Sequence, residues 1–122
     1  MNDFYFKKAS LPRAVMGTST LREAMGLWGT QRLLNVSRSC EESGAGDKYR
    51  REFGRIHSRY AEMTFLISEA MSADNLKYTA ETLLHWIADD FKNAETGAQK
   101  DAAGLCGAEL TMMIEKFKWS KE

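Results

Sequence analysis

Residues 47–71 read DKYRREFGRIHSRYAEMTFLISEAM, and this stretch decides the fold. Its apolar side chains recur at alternating spacings of four and three residues, which is the pattern of a helix that packs one face against other helices. The seam consists of Tyr49, Phe53, Ile56, Tyr60, Met63, Ile67 and Ala70. The pattern therefore predicts a long helix, with Asp47 as its expected N-cap.

A second long helix is predicted on the N-terminal side. Thr20 and Glu23 have the spacing of a capping box, and the helix that they open runs to about Glu42. Apolar residues on either side of Gly26 and Gly29 do not keep to one face. This irregularity predicts a bend or a close contact with another helix at the glycines.

Two more long helices are predicted on the C-terminal side. Ser72 or Asp74 begins the first of them, and Thr96 with Gln99 forms a second capping box that begins the other. Their apolar faces consist of Leu76, Ala80, Leu83, Ile87, Phe91 and Ala94, and of Ala103, Cys106, Leu110, Met113 and Phe117. The last helix also has a run of small side chains at residues 102–108, which favours close helix packing.

Four long helices with short connections predict an all-α fold, an up-and-down four-helix bundle over residues 20–122. Residues 1–19 are expected to form an N-terminal arm. Within it, Pro12 predicts a short helix that ends at about Met16, and the aromatic residues at 4–6 need an apolar surface to cover them. The two parts together make one domain of 122 residues.

The composition is that of an ordinary globular protein, with 43% hydrophobic and 28% charged residues. No stretch approaches the length of a transmembrane helix, so no membrane association is expected. The N-terminus lacks the order of a secretory signal, which predicts a cytoplasmic location. Cys40 and Cys106 have no metal-ligand spacing and are interpreted as buried free thiols rather than as a disulfide or as reactive groups.

Charge is distributed unevenly along this formally neutral chain. Residues 1–60 hold eleven Lys and Arg against six Asp and Glu, a net charge of +5, whereas residues 61–122 hold six against eleven, a net charge of −5. All eight arginines lie within the first 59 residues. Because the planar guanidinium group suits paired hydrogen bonds with carboxylates and phosphates, these arginines are the first candidates for a binding role.

One group of basic residues shares the outer side of the helix predicted from Asp47. Arg51, Arg55 and Arg59 follow each other at spacings of four residues, with Lys48 nearby. They form either a solvated basic face or a binding stripe for an anion, which is a phosphate, a nucleic acid or an acidic protein surface. The neutral net charge and the pI of about 6.7 argue against nucleic acid.

The same helix becomes apolar nearly all round towards its end. Phe65 and Leu66 lie outside the seam, which predicts a second contact surface at these two residues. The aromatic residues at 4–6 are one candidate to cover it. Burial in a homodimer or against another protein is the other, because aromatic residues and methionine are enriched at interfaces.

A second stripe, of acidic character, is predicted on the following helix. Glu81, His85 and Asp89 share one side at spacings of four residues, and Asp90 lies beside them. Carboxylates and imidazole at this spacing suit a divalent metal, but the stripe points away from the predicted core, so a solvated face is favoured and no metal site is expected. Such a stripe could also pair with the arginines, within the bundle or between subunits.

The segment from Arg51 to His57 reads Arg-x5-His on a helix of a predicted four-helix domain. It resembles the Arg-x4-6-His signature of the HEPN ribonucleases. The resemblance rests on these two residues. It implies a metal-independent cleavage of RNA in which Arg51 and His57 act near a dimer axis.

The sequence favours a small, non-catalytic, cytoplasmic interaction protein, such as an adaptor, a regulator or an inhibitor, which binds a protein partner and self-associates as a homodimer. The predicted partner-binding residues are Lys48, Arg51, Arg55, Arg59, Phe65 and Leu66. No cofactor and no catalytic residue are expected. Nucleic-acid binding through the arginines is the second interpretation, and a HEPN-like ribonuclease is the third.

Overall fold

The computed structural model describes the backbone of residues 10–42 and 48–117, and the side chains of residues 10–34 and 48–117. The described chain forms five helices and no strand, which confirms the all-α prediction. They are α1 (Arg13–Met16), α2 (Leu21–Glu42), α3 (Lys48–Ala70), α4 (Ala73–Lys92) and α5 (Gly97–Lys116). The predicted arm at residues 4–6 and the predicted N-cap Asp47 lie outside the described residues, as does the side chain of Cys40.

Helices α2 and α5 begin where a threonine side chain satisfies one of their first backbone N–H groups. The Oγ1 atom of Thr20 accepts a hydrogen bond from the backbone N–H of Glu23 at 3.1 Å. Thr96 Oγ1 accepts in the same way from the N–H of Gln99, also at 3.1 Å. Both predicted caps are therefore confirmed, and the start of α4 is assigned to Ser72 rather than to Asp74.

The bundle consists of two helical pairs that meet along its middle. Helix α2 packs mainly on α3 and helix α4 mainly on α5, while α3 contacts α5 more extensively than it contacts α4. The residues at 102–108 of α5 are small apart from Leu105, and the small ones are buried. Side chains of this size let neighbouring helix axes approach closely, which explains why α3 and α5 contact each other across the centre of the bundle.

The apolar faces predicted for α4 and α5 are confirmed. All five predicted positions of α5 are buried, and in α4 the first four are buried while Phe91 and Ala94 are half-buried. No helix in the described part of the chain combines the length and the apolar character needed to cross a bilayer.

The predicted seam of α3 is wrong in part, because the helix is rotated. Of the predicted seam, Ile56 and Tyr60 are buried, and Phe53, Met63 and Ile67 are partly buried and pack against the core. Tyr49 and Ala70 are exposed. The residues of α3 that are buried are Gly54, Ile56, His57, Tyr60, Ala61, Thr64 and Ser68. Small and polar side chains thus occupy much of the helix contact at which larger apolar side chains were predicted.

The cause of the rotation is a close approach between α2 and α3. A Cβ atom added at Gly29 would lie 2.7 Å from the backbone oxygen of Ala61 and 2.9 Å from the Cβ of Phe65. A Cβ at Gly26 would lie 3.2 Å from the hydroxyl oxygen of Ser68. The predicted close contact at these glycines is confirmed, and it turns the Ala61 side of α3 inwards.

Candidate binding surface

Two of the arginines are bound within the fold. Arg22 on α2 donates hydrogen bonds from its guanidinium group to the backbone oxygens of Ser68 and Met71, at the end of α3. The last carbonyl groups of a helix have no partner within the helix. A cation near them also interacts favourably with the negative end of the helix dipole. Arg22 therefore terminates α3 and is not available to a partner.

Arg32 on α2 forms an ion pair with Glu109, which is fully buried on α5. The Nε and one terminal nitrogen of Arg32 donate to the two carboxylate oxygens at 3.0 and 2.8 Å. The indole N–H of Trp28 donates to the same carboxylate at 2.8 Å, and the backbone N–H of Ser10 donates at 3.2 Å. This bidentate pair, which no local sequence pattern predicts, joins α2 to α5 and to the chain before α1.

His57 on α3 lies beside this ion pair. Its side chain is only 3% exposed, stacks on the ring of Phe53 with a centroid distance of 5.5 Å and meets the edge of Trp28 at 6.3 Å. Neither ring nitrogen has a hydrogen-bond partner among the described residues. Burial, together with the positive charge of Arg32, lowers the pKa of His57 from 6.5 to about 4.

The lowered pKa of His57 predicts a loss of stability in mild acid. Unfolding exposes an imidazole that takes up a proton below its ordinary pKa of 6.5, while the folded protein takes it up only near pH 4. The contribution of neutral His57 to the free energy of unfolding is therefore fully present above pH 6.5 and is lost as the pH is lowered from 6.5 to 4. Between pH 7.5 and 5 we expect the free energy of unfolding of the wild type to fall by about 2 kcal/mol more than that of His57→Phe.

Urea unfolding at the two pH values measures this difference. Because the carboxylates titrate alike in both proteins, subtracting one pH dependence from the other isolates His57. Equal pH dependences in the wild type and in His57→Phe would show that His57 is accessible to protons in the folded state.

Cys106 on α5 is a buried free cysteine, as predicted. Burial raises the pKa of its thiol well above the ordinary value, and the nearby carboxylate of Glu109 raises it further. The thiol is therefore protonated at neutral pH and shielded from solvent, which disfavours its reaction as a nucleophile.

The outer face of α3 carries most of the residues predicted to bind a partner. Lys48, Arg51, Arg55, Arg59 and Leu66 are all exposed. Their spacings of three, four, four and seven residues place them on one line along the helix. We call this line the basic stripe; it ends at the apolar side chain of Leu66, which is 52% exposed.

Phe65 does not belong to the basic stripe. Its side chain is partly buried, and its Cβ lies against Gly29 of α2. The contact surface predicted at Phe65 and Leu66 is thus divided, because the rotation of α3 turns Phe65 towards α2 and leaves Leu66 in solvent.

The arginines of the basic stripe have no ion-pair partner among the described residues, in contrast to Arg32, which pairs with Glu109. The stripe predicted on α4 is exposed as well, since Glu81, His85 and Asp89 lie on its outer side. No group of three or more His, Cys, Asp or Glu side chains comes together in the described part of the chain to hold a metal ion.

Two arginines of the basic stripe line a pocket. It has a volume of about 260 Å³ and lies between α3 and the connection from α4 to α5. Its lining consists of Arg55, Ile56, Arg59, Tyr60, Asp90, Asn93, Ala94 and Gln99. Arg51, one turn earlier on the same face, does not line it. The pocket therefore gives part of the basic stripe a defined shape.

Tyr60 and Asp90 form one wall of the pocket. The tyrosine hydroxyl donates a hydrogen bond to the carboxylate of Asp90 at 2.5 Å. Burial raises the pKa of Tyr60 strongly, and the bond to Asp90 raises it further, so the hydroxyl remains a donor at all physiological pH values. The lining thus contains an anchored carboxylate as well as the two arginines.

The two residues that resemble the HEPN signature are not brought together. Arg51 is exposed on the outer face of α3, whereas His57 is buried beside Trp28. They therefore do not share a solvent-accessible site in this structure.

Comparison of the chain with protein-family models, with curated proteins and with solved structures found no significant match.

Proposed function

We propose that the protein is a non-catalytic binding protein that uses the basic stripe of α3 to hold an acidic surface of a protein partner. The observation that supports it is the contrast between two groups of arginines. Arg22 and Arg32 are bound by carbonyl and carboxylate groups of the fold. Arg51, Arg55 and Arg59 are exposed and have no ion-pair partner within residues 10–34 and 48–117, so their guanidinium groups are available to a ligand.

The basic stripe carries a small cost to the helix. Like charges four residues apart destabilise a helix by about 0.2–0.5 kcal/mol per pair. The stripe contains two such pairs, from Arg51 to Arg55 and from Arg55 to Arg59. A surface that costs stability and takes no part in the core is better explained by binding than by folding.

Two features favour a protein partner over a nucleic acid. The basic stripe ends at exposed Leu66, and a mixed cationic and apolar surface is typical of protein interfaces. The protein also has no net charge, and the exposed carboxylates of Glu81 and Asp89 on α4 would repel a polyanion that extends across the surface. Nucleic-acid binding is retained as the alternative outcome of the test.

Replacing Arg51, Arg55 and Arg59 together by alanine is expected to weaken binding to poly-L-glutamate by at least about tenfold. The reason is the loss of three charge-assisted contacts, and each factor of ten corresponds to about 1.4 kcal/mol. Titration calorimetry at low salt measures the affinity, and RNA of equal length serves as the competing probe.

The matched control is Arg13/Lys92/Lys116→Ala, which removes the same charge from exposed positions on three other helices. It is expected to retain most of the affinity. An equal loss of affinity for poly-L-glutamate in both triple variants would show that only the net charge matters, and it would overturn the proposal. Tighter binding of RNA than of poly-L-glutamate would favour the nucleic-acid alternative.

A further inference from the structure

The pocket beside the basic stripe presents hydrogen-bond donors from two directions. Among the residues that line it, Arg55 and Arg59 belong to α3, Asn93 to the α4–α5 connection and Gln99 to α5. The side-chain oxygen of Gln99 accepts a hydrogen bond from the backbone N–H of Glu95 at 2.9 Å, which leaves its NH₂ group to a ligand. Such a set of donors fits a planar carboxylate, to which a guanidinium group can donate two parallel hydrogen bonds.

The carboxylate of Asp90 decides which anion fits. Asp90 is held in the pocket wall by the hydroxyl of Tyr60 and repels any bare anion. With Arg55 and Arg59 against Asp90, the lining carries a net charge of about +1, which one carboxylate neutralises, whereas a doubly charged phosphate leaves an excess negative charge next to Asp90. A ligand that places an N–H donor next to its carboxylate satisfies both Asp90 and the arginines.

An acidic residue within a peptide has this combination, since its side chain is a carboxylate and its backbone supplies N–H groups. The volume of about 260 Å³ lies just below the range of about 300–1,000 Å³ that is usual for pockets of drug-sized ligands, so it suits a residue-sized group.

We propose that Arg55 and Arg59, with Asn93, Gln99 and Asp90, form an anchor pocket for a single Asp or Glu side chain of the partner. The inference rests on the proposed function and assigns the specific contact within it. Arg51 and Lys48 then act by general attraction along the basic stripe, and Arg55 and Arg59 fix the register of the acidic peptide.

The probe for the pocket is glutamate blocked at both ends, as the N-acetyl N-methylamide, with blocked glutamine as the uncharged control. Nuclear magnetic resonance reports the site directly through the side-chain amide signals of Asn93 and Gln99. Blocked glutamate is expected to shift both signals saturably, and blocked glutamine is expected to leave them unchanged.

Arg51→Ala is the matched control variant, because Arg51 lies on the same stripe and outside the pocket. Arg55→Ala and Arg59→Ala are each expected to weaken the blocked glutamate by about tenfold, as the loss of a charge-assisted partner predicts. Arg51→Ala is expected to change the affinity for blocked glutamate less than about twofold, since solvent and salt screen an exposed charge that does not touch the ligand. The backbone spectrum of each variant shows whether it is folded.

Three results would overturn the anchor pocket. The first is a loss of affinity for blocked glutamate in Arg51→Ala equal to that in Arg55→Ala and Arg59→Ala. The second is the absence of a saturable shift of the Asn93 and Gln99 signals. The third is tighter binding of inorganic phosphate than of blocked glutamate. If poly-L-glutamate still bound through the basic stripe in any of these cases, the pocket would fail and the proposed function would stand. If the wild type did not bind poly-L-glutamate at all, both the anchor pocket and the proposed function would be excluded.

Discussion

Replacing Glu109 by alanine is expected to lower the free energy of unfolding by about 3–5 kcal/mol, the usual cost of removing one partner of a buried ion pair. Glu109 is fully buried and accepts hydrogen bonds from Arg32, Trp28 and the backbone of Ser10. Its removal leaves the guanidinium group of Arg32 without its counter-charge and the indole N–H of Trp28 without an acceptor. Chemical unfolding followed by circular dichroism measures the loss.

Two further variants separate the ion pair from other causes. Glu115→Ala removes an exposed carboxylate from the same helix and is expected to change stability by less than about 0.5 kcal/mol. The double variant Arg32→Met/Glu109→Leu is expected to be more stable than Glu109→Ala, because it leaves no unpaired charge. A loss of less than about 1 kcal/mol in Glu109→Ala would show that water reaches the pair.

The sequence contains a signal for Glu109 that the spacing rules allow one to recognise. Glu109 lies three residues after Cys106 and four before Met113, on the buried side of α5. A carboxylate at such a position requires a cationic or hydrogen-bonding partner. Which of the eight arginines fills that role depends on how α2 packs against α5, and this tertiary relation has no local pattern in the sequence.

The α4 and α5 faces were predictable because their apolar side chains follow one helical period without competition. In α3 two patterns competed, and the large side chains of Met63 and Ile67 predicted a different rotation from the small side chains of Ala61 and Ser68. The small residues determine the rotation of α3 because they face glycines on α2, where the closer approach of the two helices removes more surface from water.

The candidate surface was predictable to a similar extent. The spacing of Arg51, Arg55 and Arg59 predicted a shared outer face, and the structure places all three in solvent. The pocket was not predictable, because Asp90 and Gln99 reach it from the two ends of the α4–α5 connection. The partner-binding role of these residues stays a prediction.

Replacing Gly29 by alanine is expected to destabilise the protein by about 3 kcal/mol, at the upper end of the usual cost of overpacking. Alanine is the better helix former by about 1 kcal/mol, but its Cβ would lie 2.7 Å from the backbone oxygen of Ala61. A backbone atom cannot rotate away as a side chain does, so α2 and α3 must separate along the contact.

Two other glycines provide the controls for this prediction, and thermal and urea unfolding of the three variants measure it. At Gly26 the obstructing atom is the flexible hydroxyl of Ser68 at 3.2 Å, and at Gly97 nothing lies within 4 Å, so neither alanine variant should lose more than about 1 kcal/mol. If Gly29→Ala were as stable as Gly97→Ala, the close contact of α2 and α3 would be excluded. The rotation of α3 would then lose its explanation, because the contact at Gly29 is what turns the Ala61 side of the helix inwards.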